Sequence, residues 1–128
     1  NNTETYYDVA NTRHSVGTTL FSLKRYSDAL SVFKTADREY EDVIKRNPQN
    51  IYPVRMRSIN YEFIGNCNYE IAKTASNKAE YLKNALEGYR FALKGFLALE
   101  ESGNLNEYDR PAMEKISKLI TDLEKKVN

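Results

Sequence analysis

The chain has 128 residues, 41% hydrophobic and 29% charged, with 19 basic and 18 acidic side chains and a net charge of +1. That length fits one domain with a core of its own, and so even a charge balance excludes the electrostatic footprint of a nucleic-acid binder or an anionic-membrane binder, which leaves a protein or peptide as the expected partner. A single cysteine excludes an internal disulfide, three prolines and five glycines are too few for a β-rich or disordered chain, and no apolar run approaches the roughly 20 residues of a membrane span, so no membrane insertion is expected.

Hydrophobic periodicity predicts five helices and an all-α fold. The first should run from about Thr5 to Lys24, with Tyr6, Val9, Val16, Leu20 and Leu23 recurring at helical spacing and Arg13 interrupting the stripe. Ser27 reads as the N-cap of the second, which carries Ala29, Leu30, Phe33, Ala36, Tyr40, Val43 and Ile44 on one face and ends at Pro48. The third starts near Tyr52 or Pro53 and continues through Met56, Ile59, Phe63, Ile64, Cys67 and Ile71 to about Ala75. Asn77 and Glu80 form a capping-box pattern before the fourth, which presents Leu82, Ala85, Leu86, Tyr89, Ala92, Leu93, Phe96 and Leu97 and stops at Ser102-Gly103. Asp109 and Pro111 open the fifth, amphipathic helix, with Met113, Ile116, Leu119, Ile120 and Leu123 on its apolar side. The chain opens on Asn1 rather than a methionine and shows no signal peptide, as a processed or excised piece would.

One six-point spacing occurs twice. Arg13, Val16, Gly17 and Leu20 precede Ala29, Phe33 and Ala36, while Tyr61, Ile64, Gly65 and Asn68 precede Ala85, Tyr89 and Ala92. This pattern resembles a degenerate tetratricopeptide repeat, in which small residues let two antiparallel helices cross closely and an aromatic ring fills the space beside them. Gly65 follows Gly17 by 48 residues, against a period of about 34 in the family. Pro48 and Gly65 each stand seven residues later than that period places them. The excess therefore divides equally between the second and third helices, about two turns each, as a folded hairpin tolerates.

The resemblance implies a short α-solenoid with a right-handed superhelical course: hairpin one at about 5–46, hairpin two at about 52–101 and a closing helix at about 109–127. It also implies a protein–protein interaction scaffold or adaptor, not an enzyme, that binds through a concave groove. The groove positions carry over to Asn11, His14, Thr18 and Phe21 in the first repeat and to Glu62, Asn66 and Tyr69 in the second. Family members that grip a C-terminal carboxylate use cations at set places, but the matching places here hold His14, Thr18 and Phe63, so that specialised use is not expected. The alternative is an assembly piece of a larger or oligomeric protein, self-associating through exposed repeat ends.

No cofactor or metal chemistry is expected. His14, the only histidine, has Ala10, Asn11, Gly17 and Thr18 at the helical neighbour positions where catalysis or ligation would need carboxylates or thiols. Cys67 reads as a small buried hydrophobe, and the acidic runs at 39–42 and 100–101 read as solvated helix faces. Ten tyrosines are the least ordinary part of the composition. Tyr26, Tyr61 and Tyr89 occupy repeat packing positions, whereas Tyr7, Tyr52, Tyr69 and Tyr108 fall off the main stripes and are the better interface residues.

Overall fold

The computed structural model describes residues 2–127. Among them are five α-helices and no strand: α1 Asn2–Ser22, α2 Tyr26–Arg46, α3 Ile51–Ala72, α4 Lys78–Glu101 and α5 Arg110–Val127, the last preceded by a single 3₁₀ turn at Glu107–Asp109. The expected order and number of helices hold, while several ends move. Helix α1 stops at Ser22, and Lys24 beyond it takes a left-handed backbone, φ 61°. Ser27 is not an N-cap: α2 begins one residue before it, and the guanidinium of Arg25 at the cap position binds Asp28 instead. Asn50 caps α3 by accepting the Tyr52 N–H at 3.1 Å, which places Pro53 in the first turn. Helix α3 ends at Ala72, short of the expected Ala75. Asn77 does stand at the α4 cap, but its side chain donates to the Glu80 carboxylate rather than capping the backbone. Gly103, at φ 77°, terminates α4 where expected.

Each helix packs on the next in chain order, and α1 also touches α3. The closest approaches are set by glycine. A Cβ added to Gly17 would lie 2.5 Å from the Phe33 ring, and one added to Gly65 would lie 2.7 Å from the Tyr89 ring. Both rings are buried one helical turn beyond Ala29 and Ala85, the small residues expected at these crossings. At α3–α4 the approach is closer still, because a Cβ on Gly88 would stand 3.0 Å from the Gly65 backbone nitrogen. Gly95 repeats the arrangement against Ser58, seven residues along each helix in opposite directions.

Three buried clusters result. Ala10, Ala36 and Tyr40 join α1 to α2. Ala29, Leu30, Phe33, Ile64 and Cys67 form the middle of the molecule. The largest cluster gathers Ala85, Leu86, Tyr89, Ala92 and Phe96 of α4 against Met113, Ile116 and Leu123 of α5, which covers the second hairpin as its amphipathic pattern requires.

Most of one face is reversed relative to the sequence reading. Of the expected stripe, Tyr6, Val9 and Val16 on α1 and Leu23 just beyond it are exposed and only Leu20 packs on the central cluster, while the helix buries Ala10, His14 and Gly17. The reason is steric: α2 delivers the Phe33 and Tyr40 rings to α1, and only a surface of small residues accepts them.

Gly17→Leu and Gly65→Leu should each overpack a crossing whose aromatic neighbour is itself enclosed, with a loss of about 1–3 kcal/mol or more. Urea unfolding with an unchanged slope and a lower midpoint is the expected readout; an unshifted midpoint in either variant contradicts the packing assignment.

Candidate functional site

The residues carried over to the groove belong to α1 and α3, and the structure divides them. His14 is not on the open surface. It is buried between the Phe33 ring at 5.4 Å and the Phe63 ring at 5.6 Å, and its Nδ1 lies 2.8 Å from Asn60 Oδ1. Asn60 is fully enclosed, and its amide nitrogen donates to the Phe33 carbonyl at 2.8 Å. A carbonyl only accepts, so this bond orients the amide, and the oxygen left facing His14 requires Nδ1 to carry the proton. One asparagine thus joins α1, α2 and α3. Burial lowers the His14 pKa, partly offset by the Asn60 bond, and the ring is a neutral packing element.

Phe21 is half-buried, edge-on to Tyr26 at 5.1 Å and to Phe63 at 5.7 Å. Asn11 accepts the Tyr40 hydroxyl at 2.6 Å, Asn66 accepts the Tyr89 hydroxyl at 2.6 Å, and the Thr18 hydroxyl donates to the Ser15 carbonyl. Both asparagines therefore hold the hydroxyls of buried tyrosines. Tyr69 lies against the α4–α5 cluster with the ammoniums of Lys73 and Lys126 over its ring at 5.6 and 5.7 Å. Burial raises the Glu62 carboxyl above its ordinary range, with Lys115 opposing and Asp109 adding to the shift. Phe21 and Tyr69, four residues beyond their glycines, thus have different surroundings: an aromatic cluster for one, a lysine-flanked edge for the other.

Two tyrosines favoured as interface residues are the open ones. Tyr52 is 63% exposed at the start of α3 and Tyr108 is 90% exposed in the 3₁₀ turn. Between these segments Arg55 grips the buried carboxylate of Asp109 through two bonds, 2.6 and 3.0 Å. Tyr7, the remaining one, is half-buried beside Tyr40.

A second polar centre was not singled out from the sequence. Asp37 on α2 accepts from Arg57 Nε at 2.7 Å and from the Tyr61 hydroxyl at 2.8 Å, while Arg57 also donates to Glu41 and lies over the Phe91 ring. Phe91 stacks on Tyr61 at 4.0 Å and so ties α4 into the same node. Burial and the Asp37 bond push the Tyr61 hydroxyl up to about 12. The available signal was the spacing of Asp37 and Glu41 on α2 against Arg57 and Tyr61 on α3, one turn apart on each helix.

Nothing in these clusters pairs a nucleophile with a base. Burial pushes the Cys67 thiol up to about 12, far from a reactive thiolate. Among the described residues no group of three His, Cys, Asp or Glu could hold a metal ion, and no helix is long and apolar enough to cross a membrane. Comparison with protein families, with characterised proteins and with solved structures finds no match to this chain.

Because the chain has one histidine, its imidazole titration by NMR reads the buried site directly, with an expected midpoint below 6.5. A histidine with a lowered folded pKa binds protons more readily when unfolded, so the stability it contributes at neutral pH is lost as pH falls through 6.5 toward the folded value. Glu62 acts in the opposite sense, its contribution fading as pH rises through its raised folded value. Subtracting the stability curve of His14→Gln from that of the wild type isolates the histidine. Asn60→Leu strands His14 and the Phe33 carbonyl and should cost about 1–3 kcal/mol for each group left unpaired. A midpoint at or above 6.5, or an Asn60→Leu protein as stable as the wild type, contradicts this site.

Proposed function

We propose that the chain is a non-catalytic, tetratricopeptide-like helical scaffold that binds a protein or peptide segment along the layer formed by α1, α3 and α5. The observation that carries this reading is the pair of open tyrosines, Tyr52 and Tyr108, on two segments that the bidentate Arg55–Asp109 bridge ties to each other. Tyrosine offers a large rigid surface at low entropic cost, and holding its backbone beforehand lowers the cost of binding further. Supporting it are the direct α1–α3 contact and the approach of Lys126 on α5 to Tyr69 on α3, which are consistent with alternate helices sharing one side of a short solenoid.

Within this reading the groove is narrower than the family resemblance implies. His14 and Phe21 act as its support, and Asn66, Tyr69, Tyr52 and Tyr108 supply the contacts along α3 and the start of α5. A ligand anchored by apolar side chains at the tyrosines, with an acidic group near Lys126, fits these surroundings, since Lys73 is already paired with Glu70 at 2.9 Å.

Selection of a random peptide library on the whole chain, followed by NMR mapping of the selected peptides, tests the proposal. Shifts are expected at Tyr52, Asn66, Tyr69 and Tyr108. Tyr52→Ala and Tyr108→Ala should each weaken the selected peptide by about 1 kcal/mol or more, with stability changed by less than about 0.5 kcal/mol. Phe21→Ala should instead lower stability by about 1–3 kcal/mol. Peptides that map away from these tyrosines, or bind both tyrosine variants normally, overturn the reading.

A further inference from the structure

Helix α1 has two apolar faces, and the fold uses only one. The unused face is a heptad seam: Val9, Val16 and Leu23 recur every seven residues, with Thr12 and Thr19 between them three residues after each valine. Seven residues are close to two helical turns, so these side chains form one stripe along the helix and its last turn. All are exposed; Val9, Val16 and Leu23 keep 43%, 49% and 62% of their surface open.

The threonines belong to the seam because of where their hydroxyls go. Thr12 Oγ1 donates to the Asp8 carbonyl at 2.9 Å and Thr19 Oγ1 to the Ser15 carbonyl at 3.1 Å. Each hydroxyl is satisfied by its own helix, four residues back, and the methyl group is what remains for a neighbour. A seam of β-branched residues at one core position, alternating with threonine methyls at the other, has the period of a helix–helix contact and calls for a helix of the same pitch.

We propose that the occupant is α1 of a second copy of this chain, lying parallel to the first about a two-fold axis. The charges beside the seam select that partner and orientation. In a parallel pair the residue just before a valine on one helix faces the residue five positions further on the other. Asp8 then meets Arg13 of the other copy, twice over, by symmetry. Asp8 is exposed and forms no salt bridge with another described residue. Arg13 binds Glu39 through Nε and Nη2 only, its side chain still 42% exposed, so Nη1 is open to a second carboxylate. An antiparallel pairing would set either Asp8 near Ser22 and Arg13 near its own counterpart, or Arg13 near Leu20 of the other copy, and neither register matches a charge. Like residues meet like in the parallel register, valine on valine and threonine on threonine, and β-branched side chains at the first core position favour two strands.

Three aliphatic side chains per copy make a small interface of the weak class, below about 1,200 Å² in total. Sedimentation of the whole chain from about 10 μM to about 1 mM therefore covers the range in which such a dimer forms. The expected mass rises from one copy to two and stops there. Val16→Asp, which sets two carboxylates face to face on the axis, should weaken the dimer at least about tenfold. Asp8→Arg, which opposes Arg13, should weaken it about threefold to tenfold. Circular dichroism and melting of both variants should match the wild type, because both positions are exposed. Val9→Cys should cross-link to its own counterpart on oxidation, with buried Cys67 taking no part. A monomer across the whole range overturns the proposal, and so does a mass that grows past two copies, the mark of end-to-end stacking on α4 and α5. A dimer indifferent to Val16→Asp, or one in which Val9→Cys does not cross-link, overturns it equally.

Discussion

The distance between paired helices, set where Gly17 meets Phe33 and Gly65 meets Tyr89, is the constraint on which the rest of the structure depends. Without a Cβ at those points an aromatic ring lies directly on the helix backbone and becomes fully enclosed; with one, the helices must part by more than a core of alanines can refill. Enclosure has a chemical consequence. The hydroxyls of Tyr40 and Tyr89 need acceptors inside the molecule, and Asn11 and Asn66 provide them. Burial raises both tyrosine pKa values well above the ordinary range, which keeps the phenols protonated as donors. Asn66 on α3 is thereby committed to the ring that Gly65 admits, and Asn11 on α1 to the Tyr40 ring that packs with Ala10 and Ala36.

Between the two hairpins the contact is of another kind. Apolar packing there is limited to the small central cluster, and α2, α3 and α1 are joined as much by Asn60, by the Asp37–Arg57–Tyr61 node and by His14. Ion pairs of this sort bring little net stability, because dehydrating the charges offsets most of the attraction. Their value lies in direction: an amide that must satisfy a carbonyl on one side and an imidazole on the other permits one rotation of α3 against α2 and one depth of α1. No buried side-chain nitrogen or oxygen is left without a partner among the described residues, so this polar layer carries no stranded group.

The helices, their order and the two crossings were legible because glycine, alanine and aromatic spacings carry steric information that no neighbouring helix can change. The facing of α1 was not. Counting aliphatic residues pointed to Val9, Val16, Leu20 and Leu23 as its core, of which Leu20 alone packs inward, whereas the ring-bearing face of α2 sought Ala10, His14 and Gly17. Small and polar residues score poorly as core by hydrophobicity, yet they are what a large ring requires opposite it. The same blindness hid Asn60, a polar residue read as surface until a carbonyl and an imidazole from two other helices are seen to converge on it. Of the positions carried over to a groove, His14 and Phe21 pack against Phe63 of a neighbouring helix, a contact that spacing along one helix does not reveal. The tyrosines were only partly separable in sequence: of the four off the packing stripes Tyr52 and Tyr108 are open while Tyr7 and Tyr69 are half-buried, and Tyr6, read as part of the α1 stripe, is 42% exposed.

Two open surfaces of different physics follow from these commitments. Around Tyr52 and Tyr108 the backbone is held by a carboxylate that is buried and gripped on both oxygens by Arg55, so both rings stand beside a fixed link between their segments and present polar tips. Along α1 the surface is a regular row of aliphatic side chains and methyl groups whose hydroxyls are already satisfied, with no polar group to specify a foreign sequence. Such a row selects by shape and pitch alone, and the shape most closely matched to a seven-residue row of β-branched side chains is another copy of the same row. Specificity would then come from the flanking charges, where Asp8 has no partner of its own among the described residues and Arg13 has one donor free. The α1 row is left outside because the same helix turns Ala10, His14 and Gly17 toward the rings of α2, so the crossing at Gly17 and the open face of Val9, Val16 and Leu23 have one cause.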